Sequence, residues 1–318
     1  MTIMHSFTLG LRRVLGSPAL ILWLFFASLV IALPLTAAMR DVLQTSIGSS
    51  LVDQNLRRTF DLDWYGEFRA NASGFADTFS PAVVGILPAL HNLERLLNGE
   101  IFSINRVVLA AGILFLFAWA FFGGGIITRY ARPHESRNRA AFFSASARFF
   151  FRYLRLLVIS LIVYWAVFRW VAKPLRTWMD RLARDITVES TVLAYTVLFY
   201  LVIAFLLMLG SLALDYAKIS MVIEDRHSSV LAFIHALRFV FFRPLRTVGL
   251  YLLLVLVGLI LLLVYGVVAP GAGQSRDLTL ILAFLVSQLF LLARLILKLW
   301  FLASQTVLYQ SAMEVRQT

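Results

Sequence analysis

Cysteine is absent from the 318 residues. That removes disulfides, thiolate nucleophiles, zinc–thiolate sites and cysteine-bound iron–sulfur clusters from consideration. Charge is scarce as well: 14% of the residues are charged, against about 25% in soluble domains. The charges are clustered, so long runs of the chain carry none. No such run holds a carboxylate or histidine near its centre, where a proton-coupled carrier places one. His5, His91, His134, His227 and His235 all fall outside the hydrophobic stretches. Catalytic signatures are missing too: no serine has a nucleophile-elbow context, and no His/carboxylate set has metal spacing. Gly123-Gly-Gly125 lacks the lysine and strand of a phosphate loop and reads as close helix packing or a hinge. Neither enzyme activity nor a cofactor is expected.

What is present is apolar. The chain is 60% hydrophobic with a mean hydropathy of +0.83, where soluble domains average about 45–50% apolar residues. A bilayer core about 30 Å thick needs roughly 20 apolar residues as a helix. Six stretches meet or approach that length, at about 18–39, 106–128, 154–171, 191–214, 245–269 and 278–302. The fold class is therefore all-α, a polytopic six-span bundle forming a single membrane domain over 1–318. The first stretch is too long for a signal-peptide core and no small-residue cleavage site follows it, so it reads as a retained span.

The net charge is +12, and its placement sets a topology. The N-terminus, 128–156, 215–246 and the C-terminal region with Arg294 and Lys298 hold 17 basic residues and five acids, Glu135, Asp215, Glu224, Asp225 and Glu314. The opposite side holds 12 of each sign. Basic residues concentrate in cytoplasmic loops, so both termini are expected in the cytoplasm. Insertion alone then accounts for the excess, and nucleic acid is not expected as a partner. Trp165 and Trp170 near the outer end of the third span, with Trp178 beyond, fit an interfacial belt.

The segments leading into spans one, three and five share a pattern: Phe7-Thr-Leu-Gly-Leu-Arg12, Phe143-Ser-Ala-Ser-Ala-Arg148 and Phe233-Ile-His-Ala-Leu-Arg238. The second continues to Arg152 and Arg155, the third to Arg243 and Arg246, and the first and third place Pro18 and Pro244 six residues after the arginine. Tyr130-Ala-Arg132 and Tyr216-Ala-Lys218 precede two of them. The reading is three helix-pair repeats, each introduced by a cytoplasmic interfacial helix whose Phe side chains enter the acyl boundary while arginines meet phosphates. Arg12, Arg148, Arg152, Arg238 and Arg243 are the candidate contacts for lipid or a partner.

Between the first two spans, about 40–105 reads as a small extracytoplasmic cap of amphipathic helices, because Leu51, Leu56, Phe60, Leu62, Trp64 and Tyr65 are too apolar for a solvated linker. Ser80–Leu90 is apolar yet too short to span, which fits either a re-entrant hairpin or a helix on the outer leaflet. Asn71-Ala-Ser73 matches a glycosylation tripeptide.

Intramembrane charges are the remaining site candidates. Arg294 and Lys298 lie four apart on one helix face, and Asp215, where the fourth span ends, is placed to pair with Arg294 as a structural contact or a gate. Snorkelling is the plainer reading of the two basic residues. Glu224-Asp-Arg-His227 reads as a solvated turn.

The six-helix layout, with segments such as Asp215-Tyr-Ala-Lys218 followed by Phe233-Ile-His-Ala-Leu-Arg238-Phe, resembles uncharacterised bacterial integral membrane families, among them the membrane domain attached to glycerophosphodiester phosphodiesterases. That resemblance implies a bacterial inner membrane. It carries no phosphodiesterase activity, since the chain has no room for the soluble catalytic domain. Two functions remain: a non-catalytic membrane subunit or scaffold that binds membrane lipids and assembles with other membrane proteins in a complex or as a homo-oligomer, and a transporter of a lipid-like or amphiphilic solute.

Overall fold

Backbone amides and carbonyls inside a bilayer must satisfy one another, which restricts apolar spanning segments to helices or closed barrels. The computed structural model describes residues 2–48, 61–79, 87–99, 105–133, 138–183, 188–269 and 277–317, and among these it is helical with no strand. In chain order the helices are α1 (Ile3–Leu15), α2 (Pro18–Ile47), α3 (Leu62–Asn71), α4 (Leu87–Asn98), α5 (Arg106–Ala131), α6 (Arg139–Ala166), α7 (Lys173–Ala183), α8 (Glu189–Ile223), α9 (Ser229–Phe242), α10 (Pro244–Val268) and α11 (Asp277–Gln317). Six helical segments are long and apolar enough to cross a membrane: Pro18–Ile47, Arg106–Ala131, Arg139–Leu182, Glu189–Ile223, Pro244–Val268 and Leu278–Glu314. Five of them contain an expected stretch whole, and the fifth, Pro244–Val268, covers all of 245–269 but its last residue.

The helices run past the apolar runs in a consistent way. A π-helical stretch, Val167–Ala172, joins α6 to α7, so the third spanning helix is continuous from Arg139 to Ala183. The sixth continues beyond residue 302 to Gln317. Proline decides where the lead-in segments break. The residue before a proline is driven out of the helical region. Ser17 before Pro18 sits at φ −131°, ψ 54°, and Arg243 before Pro244 at φ −134°, ψ 49°. In both places the carbonyl of the break residue accepts from the amides three and four residues on, Leu20 and Ile21 in one and Arg246 and Thr247 in the other. The middle segment has no proline and runs unbroken into its span.

The chain divides into two compact units, 1–16, 117–254 and 299–318 in the first and 17–116 with 255–298 in the second. One boundary falls at the break between α1 and α2, and the others cut α5, α10 and α11 within the helix.

The core of the first unit is built on the ends of α8 and α11. From Leu212 to Val222 on α8 and from Leu302 to Ala312 on α11 nearly every side chain is buried, as befits helices enclosed on all sides. Helix α1 presents Ser6, Gly10 and Val14 to this core. A Cβ on Gly10 would clash with Ser304, whose Cα would lie 2.7 Å away, so only glycine permits this approach. Trp300 donates its indole N–H to the Phe7 carbonyl at 2.9 Å. Glycine closes α5 on α6 in the same manner. A Cβ on Gly124 would stand 2.8 Å from that of Phe149 and 3.0 Å from the Ala145 carbonyl, and one on Gly125 would meet Ser146 and the Phe142 ring. The triple glycine is a packing surface.

The second unit has a thinner core. Ile21, Leu24, Trp64, Phe68 and Leu295 are buried, while α10 exposes Leu256, Leu259, Ile260, Leu263, Val264 and Val267. Such continuous apolar surface suits acyl chains, not water. Tyr265 stacks on Phe290 with centroids 3.9 Å apart. The 40–105 segment holds the end of α2, then α3 and α4; Trp64, Phe68, Tyr65 and Phe79 form an aromatic cluster, and Asp61 caps α3 through the Asp63 and Trp64 amides. Residues 80–86 of the proposed re-entrant stretch lie outside the described residues, and from Leu87 the chain is helical.

Candidate functional site

Helix C-termini leave carbonyls without intrahelical donors and carry partial negative charge. The first unit answers this with side chains from other helices. Arg13 of α1 donates to the Tyr130 carbonyl at 2.5 Å and to Gln310 Oε1 at 3.0 Å, and Gln310 Nε2 donates to the Ala131 carbonyl at 2.9 Å. The last turn of α5 is thus capped from α1 and α11 together. Burial draws the Arg13 guanidinium below its usual range, and it stays charged because arginine holds its proton at any physiological pH.

A second cluster centres on the α8–α9 turn. Asp225, at φ 51°, receives both Arg148 and, at 2.7 Å, Arg152. The Arg152 side chain is only 10% exposed, Asp225 is 42% exposed and Arg148 more so. Arg152 also donates to the Arg226 carbonyl at 3.2 Å, and Ser229 donates to the Arg152 carbonyl at 3.0 Å. The hydrogen bond from Arg152, with the nearby positive charges of Arg148, Arg152 and His227, holds the Asp225 carboxyl below the usual carboxylate range against the opposing effect of burial. Glu224 pairs with Arg226 at 2.6 Å and accepts from the Tyr309 hydroxyl, and Arg226 lies 3.4 Å from His235 Nδ1. The run Glu224–His227, expected as a solvated turn, is instead the hub that ties α6, α8, α9 and α11 together.

Beside this hub lies a cleft of about 310 Å³. Thr128 and Arg132 line it from the end of α5, Ser144, Arg148 and Phe149 from the first turns of α6, and Val222 and Asp225 from the end of α8. The Thr128 hydroxyl donates to the Gly124 carbonyl, and the other polar side chains of the lining are Arg132, Ser144, Arg148 and Asp225.

The residues singled out from sequence divide accordingly. Arg148 and Arg152 are brought together on Asp225. Arg12 and Arg238 are exposed, and Arg243 sits over the Phe239 ring at 5.6 Å. Asp215 takes Lys218 on its own helix at 2.9 Å. Arg294 lies over Phe290 at 6.0 Å and Lys298 over Phe115 at 5.6 Å, and neither Asp215 nor Arg294 lines the cleft. Sequence reasoning missed Arg13, Glu224, Asp225, Tyr309 and Gln310. Arg13 had a readable signal, because it lies three residues beyond Gly10 on the Ser6–Gly10–Val14 face. The arginines at 148, 152 and 155 also share one helix face and so call for an acid, but which acid is a tertiary matter. Among the described residues no three of His, Cys, Asp and Glu gather as a metal site. No family model, curated protein or solved structure matches this chain.

Proposed function

We propose that the chain is a non-catalytic integral membrane subunit or scaffold of a bacterial inner membrane, with both termini in the cytoplasm, which holds anionic lipid and a partner protein at its cytoplasmic end. One observation carries this reading: an exposed rim of phenylalanine and arginine on the first unit. Helix α9 turns Ser229, Ala232, Ala236 and Val240 inward. That leaves Phe241, Phe242 and Leu245 exposed, Phe242 at 82% and Leu245 at 85%, with Arg243 and Arg246 alongside. On α6, Phe151 is similarly bare between Arg148 and Arg155. Aromatic side chains at that position enter the acyl boundary while arginines reach phosphates. The second and third Phe–Arg lead-in segments supply this rim, and by the same reading the 40–105 segment is an extracytoplasmic cap.

The test is extraction from native membranes into nanodiscs, followed by native mass spectrometry. The expected result is a particle that retains anionic phospholipid and a second polypeptide. A monodisperse monomer stripped of lipid refutes the reading. A second reading, movement of a lipid-like solute, draws on the thin core of the second unit, whose helices have few packed contacts to hold them in one arrangement. Headgroup translocation in proteoliposomes above the protein-free rate supports that alternative.

A further inference from the structure

We infer that the cleft between α5, α6 and the α8–α9 turn is a binding site for a phosphate group, a ligand class that rests on, and sharpens, the reading of this end as a lipid-facing one. Arg148 and Arg152 share the single negative charge of Asp225, so that triad keeps a net positive charge at the edge of the cleft. Arg132, just past the end of α5, and Ser144 of α6 line the same cleft. A planar guanidinium matches phosphate oxygens two at a time, and arginines on two different helices offer such forks from two directions. Asp225 does not defeat an anion here, because Arg152 is held on it from the buried side and Arg148 from the exposed side. The floor is Phe149 and Val222, apolar enough to receive the first carbons of an esterified phosphate. At about 310 Å³ the space lies at the small end of ligand sites. It fits a headgroup phosphate with its glycerol, or a small soluble phosphomonoester.

The experiment uses the full chain in two kinds of nanodisc, one of phosphatidylcholine alone and one with added phosphatidylglycerol, and titrates inorganic phosphate into the first. Retained lipid is counted by native mass spectrometry and phosphate binding by calorimetry. Three variants accompany the wild type. Arg132→Gln removes one fork, Ala141→Trp fills the cleft from a small lining residue of α6 without touching a charge, and Arg69→Gln removes an exposed arginine of α3. Each is first checked for an unchanged melting temperature. The expected result is phosphatidylglycerol retention that falls about tenfold in Arg132→Gln and Ala141→Trp and is unchanged in Arg69→Gln. Binding of inorganic phosphate alone, lost in the same two variants, supports the site with a soluble ligand and counts against the lipid-scaffold reading. Lipid retention that ignores both cleft variants overturns the site and leaves the scaffold reading standing. Absence of binding in every arm overturns the site outright.

Discussion

Replacing Asp225 with asparagine keeps the shape of the α8–α9 turn and removes the charge that two arginines share. The two halves of the loss differ in kind. Arg152 is almost enclosed and keeps only a 3.2 Å bond to the Arg226 carbonyl. Losing a hydrogen bond to a charged partner at such a place costs about 1.5–3 kcal/mol. Arg148 is largely in solvent, where an ion pair contributes about 0.2–1 kcal/mol. Together the substitution costs about 2–4 kcal/mol. At about 2–4 °C per kcal/mol for a domain of this order of size, the melting temperature in detergent falls by about 4–16 °C. Asp215→Asn is the matched control. It breaks a pair with Lys218 one turn along the same helix, worth about 0.3–0.5 kcal/mol, and shifts the melting temperature by little. The pH profile gives an independent reading. The Asp225 carboxyl is depressed in the folded protein, so its contribution is present above the unfolded carboxylate pKa of about 3.9 and disappears as pH falls through the lower folded value. Wild-type stability therefore drops in the acid range below about pH 4, and Asp225→Asn flattens that part of the curve. An Asp225→Asn loss no greater than that of Asp215→Asn refutes the hub.

Arg13→Ala removes the donor to the Tyr130 carbonyl and the bond that orients Gln310, and is expected to cost about 1–3 kcal/mol, while Arg12→Ala next door changes stability by less than about 0.5 kcal/mol; thermal unfolding of the two variants side by side checks this. Gly124→Ala gains about 1 kcal/mol of helix propensity, yet sets a methyl against the Ala145 carbonyl and Phe149, an overpacking cost of about 1–3 kcal/mol. It should melt below wild type, whereas Gly112→Ala, whose new methyl meets nothing within 4 Å, should melt above it. Tyr309→Phe leaves Glu224 paired with Arg226 and removes one hydroxyl donor, for a loss of about 1 kcal/mol read in the same assay.

The six spanning helices were legible because hydropathy and helical rise translate directly into length. Where the helices end was not. The stretch from Ala303 to Gln317 on α11 contains Ser304, Gln305, Thr306, Gln310 and Glu314, so a hydropathy reading stops at residue 302. The helix continues because α1 and α8 bury it, and packing overrides the composition of a single segment. The prolines were informative in the opposite sense. Pro18 and Pro244 mark the two breaks, and their absence from the middle lead-in segment agrees with its unbroken helix. The site was half legible. The arginines at 148 and 152 are visible as one face, but their acid lies 73 residues or more along the chain, in a turn whose composition looks solvated. Asp215 has a cation three residues away, and proximity on one helix satisfies a charge with less loss of side-chain freedom than a partner from another helix does.

The arginines from which a cytoplasmic orientation is expected also have structural roles within the first unit. Arg13 closes the terminus of α5 and Arg152 anchors the α8–α9 turn; both are held by several bonds and partly or fully removed from solvent. Arg12, Arg238 and Arg246 are exposed and have no such role in the fold. Arg132 and Arg148 stand between these groups, at the walls of the cleft. A charge excess produced by insertion alone would be indifferent to helix face. Here adjacent arginines, 12 and 13, are sorted one outward and one inward, and those at 148 and 152 meet one carboxylate from its exposed and buried sides. Such sorting couples the stability of the basic end to the groups that face a ligand. Loss of Asp225 would therefore weaken the fold and leave Arg148 uncompensated at the cleft, so the Asp225→Asn protein, though less stable, should bind a phosphate group more tightly than wild type.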